Sequence, residues 1–139
     1  MAVEVRTDRP IIRVRISGVL SNEDFLALAS EAQRIDPSEF AGRHRLTDIS
    51  DVTKIEMTFQ SLSSYADNRR RVQLPNPVKS AIVAPQVAHY GIARMFQTLT
   101  DNPMMVIAIF PDEDSALRWL AEPGIAEPAK PWTPLAGTA

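Results

Sequence analysis

DISDVTKIEMTFQSL, residues 48–62, decides how the chain is read. Its first residues close a strand, RLTDIS (45–50). Its last residues open a helix from Thr58 to about Arg70, with Phe59, Leu62, Tyr65 and Ala66 on one side. The stretch between them carries Asp51 and Glu56 and reads as a short acidic loop. A strand that passes through a short connection into an amphipathic helix is the repeating unit of an α/β domain.

The flanking sequence repeats that unit. EVRTD (4–8) and IIRVRIS (11–17) read as two short strands around Arg9-Pro10. In the second, Ile12, Val14 and Ile16 alternate with Arg13 and Arg15, the period of a half-buried strand, and Gly18 is read as its end. Ser21 with Asp24 three residues on resembles a capping box, and Phe25, Leu28, Ala29 and Ala32 continue at helical spacing. DPSEFAGRH (36–44) is a loop.

Beyond the second helix, LPNP (74–77) is a connector, because its prolines lack the N–H groups of regular structure. VKSAIVA (78–84) and MMVIAIF (104–110) are strands, and their near-continuous apolar character suits the buried middle of a parallel sheet. Between them, residues 86–102 form a helix with Ala88, Ile92, Met95, Phe96 and Leu99 as its stripe. Asp112 caps a last helix, with Glu113 and Asp114 at the positive end of its dipole. The expected fold is α/β: a mostly parallel five-stranded sheet, antiparallel only at its first strand, with about four helices. Residues 1–121 are expected to form the domain. Residues 122–139, rich in proline and without period, read as a poorly ordered tail from which Trp132 could pack back.

Composition narrows the functional classes. A chain of 139 residues fits one domain with a core of its own. It has no cysteine, so disulfides, thiolate metal sites and a cysteine nucleophile are excluded. The net charge of −2 gives no electrostatic reason to expect nucleic acid. No apolar run approaches the ~20 residues of a membrane span, and the charged start MAVEVRTDRP does not read as a signal peptide. A cytoplasmic protein is expected.

Few residues point to chemistry. The five glycines form no phosphate cradle, and the loop GVLSNED after the second strand carries two acids that would repel a phosphate. His44 and His89 fit no ligand pattern, and Ser61, Ser63 and Ser64 sit in no nucleophile elbow. No catalytic residue, metal site or cofactor is assigned. Asp48, Asp51 and Glu56 could act as acid, base or metal ligands, against the plainer reading of solvated or capping acids. Arg69, Arg70 and Arg71 suit the negative end of a helix dipole, with a weak anion site as the alternative.

Gly91, inside a helix, implies close approach by another backbone or a ligand, with packing on the sheet as the plain explanation. Tyr90, Arg94 and Gln97 lie opposite the apolar stripe, where a partner could reach them. Thr58 is read first as a helix cap, with phosphate acceptance as the alternative.

DISDVTKIEMT (48–58) resembles the signature of STAS domains, the SpoIIAA-like anti-sigma-factor antagonists: Asp48, Ser50, Val52, Ile55 and Glu56 fall on matching positions. Thr58 falls on the serine that a partner kinase phosphorylates in regulatory members, while Met57, Phe59 and Gln60 depart from the pattern. Tyr90-Gly91-Ile92-Ala93-Arg94-Met95 and the stretch from Phe110 to Leu120 are similar to a second, SpoIIAA-like group. The likeness spans residues 2–121, and that group is related in fold to lipid-transfer domains of the CRAL-TRIO kind. The resemblance implies a non-enzymatic domain acting through protein–protein interaction, in a regulatory role. A small-molecule or lipid-binding module with an apolar pocket is the alternative, and an enzyme using the loop carboxylates is a weaker one. A homodimer is expected, because Met95, Phe96, Met104 and Met105 supply more apolar surface than four helices can cover.

Overall fold

The alternation of Ile12, Val14 and Ile16 with Arg13 and Arg15 gives the second strand an apolar face and a charged face, and the sheet is organised around that division. The computed structural model describes residues 2–6, 10–24, 27 and 43–134. Its strands are β1 (Ala2–Arg6), β2 (Ile12–Ser21), β3 (Arg45–Glu56), β4 (Val78–Val83) and β5 (Met105–Phe110), and they form one sheet in that spatial order. β1 is antiparallel to β2, and every other neighbouring pair is parallel. This is the mixed sheet expected from the sequence.

Among the described residues three full helices pack on it: α1 (Phe59–Arg70), α2 (Val87–Thr100) and α3 (Glu113–Ala121). One apolar cluster joins Ile16, Ile49, Ile82 and Ile107 with Leu62 of α1 and Ala93 of α2. The other joins Leu46, Ala81, Val83, Ala108 and Phe110 with Ala116, Trp119 and Leu120 of α3. α1 and α2 therefore cover one face and α3 the other. Each aliphatic side chain fully removed from water contributes roughly 1.5–3 kcal/mol. β4 is buried along its whole length, in keeping with its central place.

The helix ends are set by side chains. Asp112 accepts a hydrogen bond from the Ser115 N–H at 2.7 Å and starts α3. That bond is the first cause of the Asp112 carboxyl lying below its ordinary range. α2 ends at Asp101, whose φ of 36° is left-handed. Asn102 then donates through Nδ2 to the carbonyls of Arg69 and Val72, so the C-terminal ends of α1 and α2 are tied together. Lys79 is only 1% exposed. Its ammonium donates to the carbonyls of Trp119 and Glu122 at 2.8 and 2.7 Å and lies 5.2 Å from the Trp119 ring centre. A lysine inside an apolar strand thus serves as the cation at the negative end of α3.

Three strands differ from the sequence reading by two residues or more. β2 continues through Gly18 to Ser21, and β3 continues through the expected acidic loop to Glu56. Their pairing shifts register between Arg15 and Ser17 and again between Gly18 and Val19. Gly18, at φ 81°, absorbs a bulge there and does not end the strand. β1 covers Ala2–Arg6, earlier than the expected 4–8. Because β4 pairs with β3 only along Arg45–Asp48, the far half of β3 forms a two-stranded ribbon with the end of β2. At its edge the Val52 carbonyl lies 2.7 Å from Nε2 of the buried His89.

At Ser21 the backbone N–H donates to the Asp24 carboxylate while the Asp24 N–H reaches back to the Ser21 hydroxyl, which is capping-box geometry. Residues 22–24 are helical. The expected continuation through Phe25, Leu28, Ala29 and Ala32 lies outside the described residues. The apolar surplus expected on the surface is smaller than foreseen: Met105 is 7% exposed in the core, and Phe96 packs on Tyr65. Met95, at 40%, is the exposed one of that group. No helix among the described residues is long and apolar enough to cross a membrane.

Candidate functional site

α3 lies over β3, β4 and β5, and among the described residues no helix packs on the same face of β1 and β2. Strand alternation delivers Arg13 and Arg15 of β2 to that face, with Glu4 and Arg6 of β1 and Asp48 of β3 beside them. Together with Glu113 from the start of α3 they line a cleft of about 260 Å³. Arg15 stands opposite both Glu4 and Asp48 in the strand register. Its guanidinium lies 3.6 Å from the Asp48 carboxylate and 3.8 Å from that of Asp51. Arg13 pairs with Glu113, and Arg6 with Glu4 at 2.6 Å. Asp48 is buried and also accepts from the Ser50 N–H and hydroxyl. Two of the candidate acids, Asp48 and Asp51, are thus brought together, but around one cation.

The other candidates lie elsewhere. Glu56 sits at the end of the β2–β3 ribbon with Lys54 at 2.9 Å. The hydrogen bond to Glu56, then its charge, raises the pKa of that lysine. Thr58 is the N-cap of α1: its Oγ1 accepts from the Ser61 N–H at 3.2 Å, and its own N–H donates to Oδ1 of Asn22 at 2.9 Å. The Thr58 side chain is exposed, and no acid lies in the first turn of α1. Phe59 follows it, 63% exposed, and Val87 at the first position of α2 is 64% exposed. Since α1 and α2 pack side by side with their C-terminal ends tied by Asn102, Thr58, Phe59 and Val87 share one end of the molecule.

On α2, Tyr90 meets Trp132 edge to face with ring centres 5.7 Å apart. Nε1 of Trp119 donates to the Ala126 carbonyl, so residues 122–132 lead from the α3 side of the sheet to α2. Arg94 donates to Gln97, which in turn donates to the Ile107 carbonyl of β5. A Cβ built on Gly91 meets nothing within 4 Å, so packing on the sheet does not explain that glycine.

Sequence reasoning passed over two groups. Arg45 is buried near Arg69 and Tyr65, and its guanidinium is pushed down to about 10, by burial first and then by the charge of Arg69. Burial likewise pushes the Tyr65 hydroxyl up. The arginines of the cleft were visible as an alternation in β2, but Glu4, Arg6 and Glu113 join them only through the sheet register and the return of α3. Among the described residues no group of three or more His, Asp or Glu side chains could hold a metal ion.

No family model matches this sequence, and comparison with curated proteins found no match. Its fold has solved counterparts. The crystal structure of an uncharacterised DUF3478-family protein with a SpoIIAA-like fold, from Shewanella loihica PV-4, aligns with 86% of this chain. The alignment covers 93% of that protein, with a TM-score of 0.53 and 17% identity. At that identity the likeness is one of fold: the chain folds as a SpoIIAA-like α/β domain.

Proposed function

We propose that this STAS-like domain is a non-catalytic interaction module that binds a protein partner at the end formed by Thr58, Phe59 and Val87. The observation that carries the reading is the exposure of Phe59 and Val87 at the heads of two neighbouring helices, beside the capping threonine Thr58. Exposed aromatic and branched groups together on a folded surface mark contact sites. The carboxylates give the enzyme reading little support, since Asp48 and Asp51 lie against Arg15 and Glu56 against Lys54. The cleft, lined by six charged side chains, suits a polar surface better than an apolar ligand.

A regulatory role enters through Thr58. A phosphate on its exposed hydroxyl would meet the free N–H groups at the start of α1, where an anion is favoured. The domain is further proposed to act as a homodimer in the cytoplasm, a reducing compartment that agrees with a chain lacking cysteine.

The test compares wild type with Phe59→Ser/Val87→Ser by native-mass separation of extracts from the cells that make the protein. Wild type is expected to run in a larger complex, and the double variant, with an unchanged melting temperature, to run free. Comigration of the two would refute this surface.

A further inference from the structure

Among the described residues β1 is an edge strand, paired on one side with β2. An edge presents unpaired N–H and C=O groups and is a template for another strand. On the cleft face β1 carries two exposed charges of opposite sign, Glu4 and Arg6. Val5 between them points to the other face and is half-buried. An antiparallel strand with the same sequence, related by a two-fold axis through Val5, sets Glu4 opposite the partner subunit's Arg6 and Arg6 opposite the partner subunit's Glu4. The pattern is complementary to itself.

The register inside one chain strengthens the argument. Arg6 lies directly opposite Arg13 of β2, a like-charge pair, whereas Glu4 lies opposite Arg15. Addition of a second β1 brings a carboxylate to the free side of Arg6, while Glu113 already neutralises Arg13. Across the joined sheet the charges then run Asp48, Arg15, Glu4 and the partner subunit's Arg6. The exposed contact of Arg6 with Glu4 within one strand is worth little in water and is easily exchanged for these cross-strand pairs.

We propose that two copies of the chain associate by antiparallel β1–β1 addition about Val5, forming one sheet that runs through both. The inference rests on the homodimer reading above and names its surface. It is separate from the partner surface at Phe59 and Val87. A five-residue edge is small beside a standard interface of about 1,600 Å², so the dimer is weak and populated at high micromolar concentration.

The test is sedimentation at high micromolar concentration of wild type, Glu4→Arg, Arg6→Glu, the double swap, and an equimolar mixture of the two single variants, with thermal melts to confirm folding. Wild type should dimerise. Each single reversal turns two opposite pairs into two like pairs and should weaken association about ten-fold or more. The double swap, and the mixture of the singles, should restore it to within about three-fold of wild type, because opposites meet again. Dimerisation unaffected by the single reversals overturns the β1 surface while leaving the homodimer standing. Weakening that neither the swap nor the mixture reverses also overturns it. A wild-type monomer overturns both the surface and the homodimer.

Discussion

Thr58 Oγ1 holds the Ser61 N–H, one of the donors that the start of α1 leaves without a helical partner. Thr58→Ala should therefore lower stability by about 1 kcal/mol, and Thr58→Ser should keep most of it, as read from denaturant titration. Unchanged stability in the alanine variant, together with phosphothreonine at this site in protein from its own cells, would make the phosphate the main role of the hydroxyl. Gly91 has the opposite expectation. It lies within α2 with open space where a Cβ would stand, so Gly91→Ala should stabilise the fold by up to about 1 kcal/mol. A loss of stability in the same titration would mean that another group packs against that position.

At the scale of elements, His44 joins the strands. Its Nδ1 accepts from the Lys79 N–H at 3.0 Å, and its carbonyl accepts from the Ile12 N–H. Burial, and then the Lys79 charge, lower its pKa below the ordinary 6.5. The unfolded chain then binds the proton more readily than the folded one. The contribution of His44 is accordingly present above about pH 6.5 and is lost as the pH falls through and below that value. The melting temperature should fall between pH 7.5 and 5.5. In His44→Asn, whose Oδ1 can still accept but does not titrate, that part of the fall should disappear; an unaltered pH profile would refute the role. The extended β2–β3 ribbon was hidden from period-2 reading for a related local reason. Two register shifts break the alternation at the point where β3 turns acidic, so Asp51 and Glu56 looked like loop residues. Elements with an unbroken period were read almost to the residue: α1 begins after Thr58, and β5 ends at Phe110.

For the whole molecule, the order of strands and helices, with its antiparallel first strand, was legible because segments of strand period and of helix period alternate along the chain. Contacts between distant elements were not legible. Lys79 gave no sign of capping α3, forty residues away, and the cleft needs β1, β2, β3 and α3 in one register. The proposed partner surface is of the same kind, since Phe59 read as part of an apolar helix stripe while in the fold it faces solvent. That surface is tested most directly by a photo-crosslinking amino acid placed at position 59, with a control at exposed Lys130, in the cells that make the protein. Position 59 should give a discrete adduct to one protein other than this chain, abolished by Val87→Ser, and position 130 should give none. No adduct from position 59, or the same adducts from both positions, would contradict that surface.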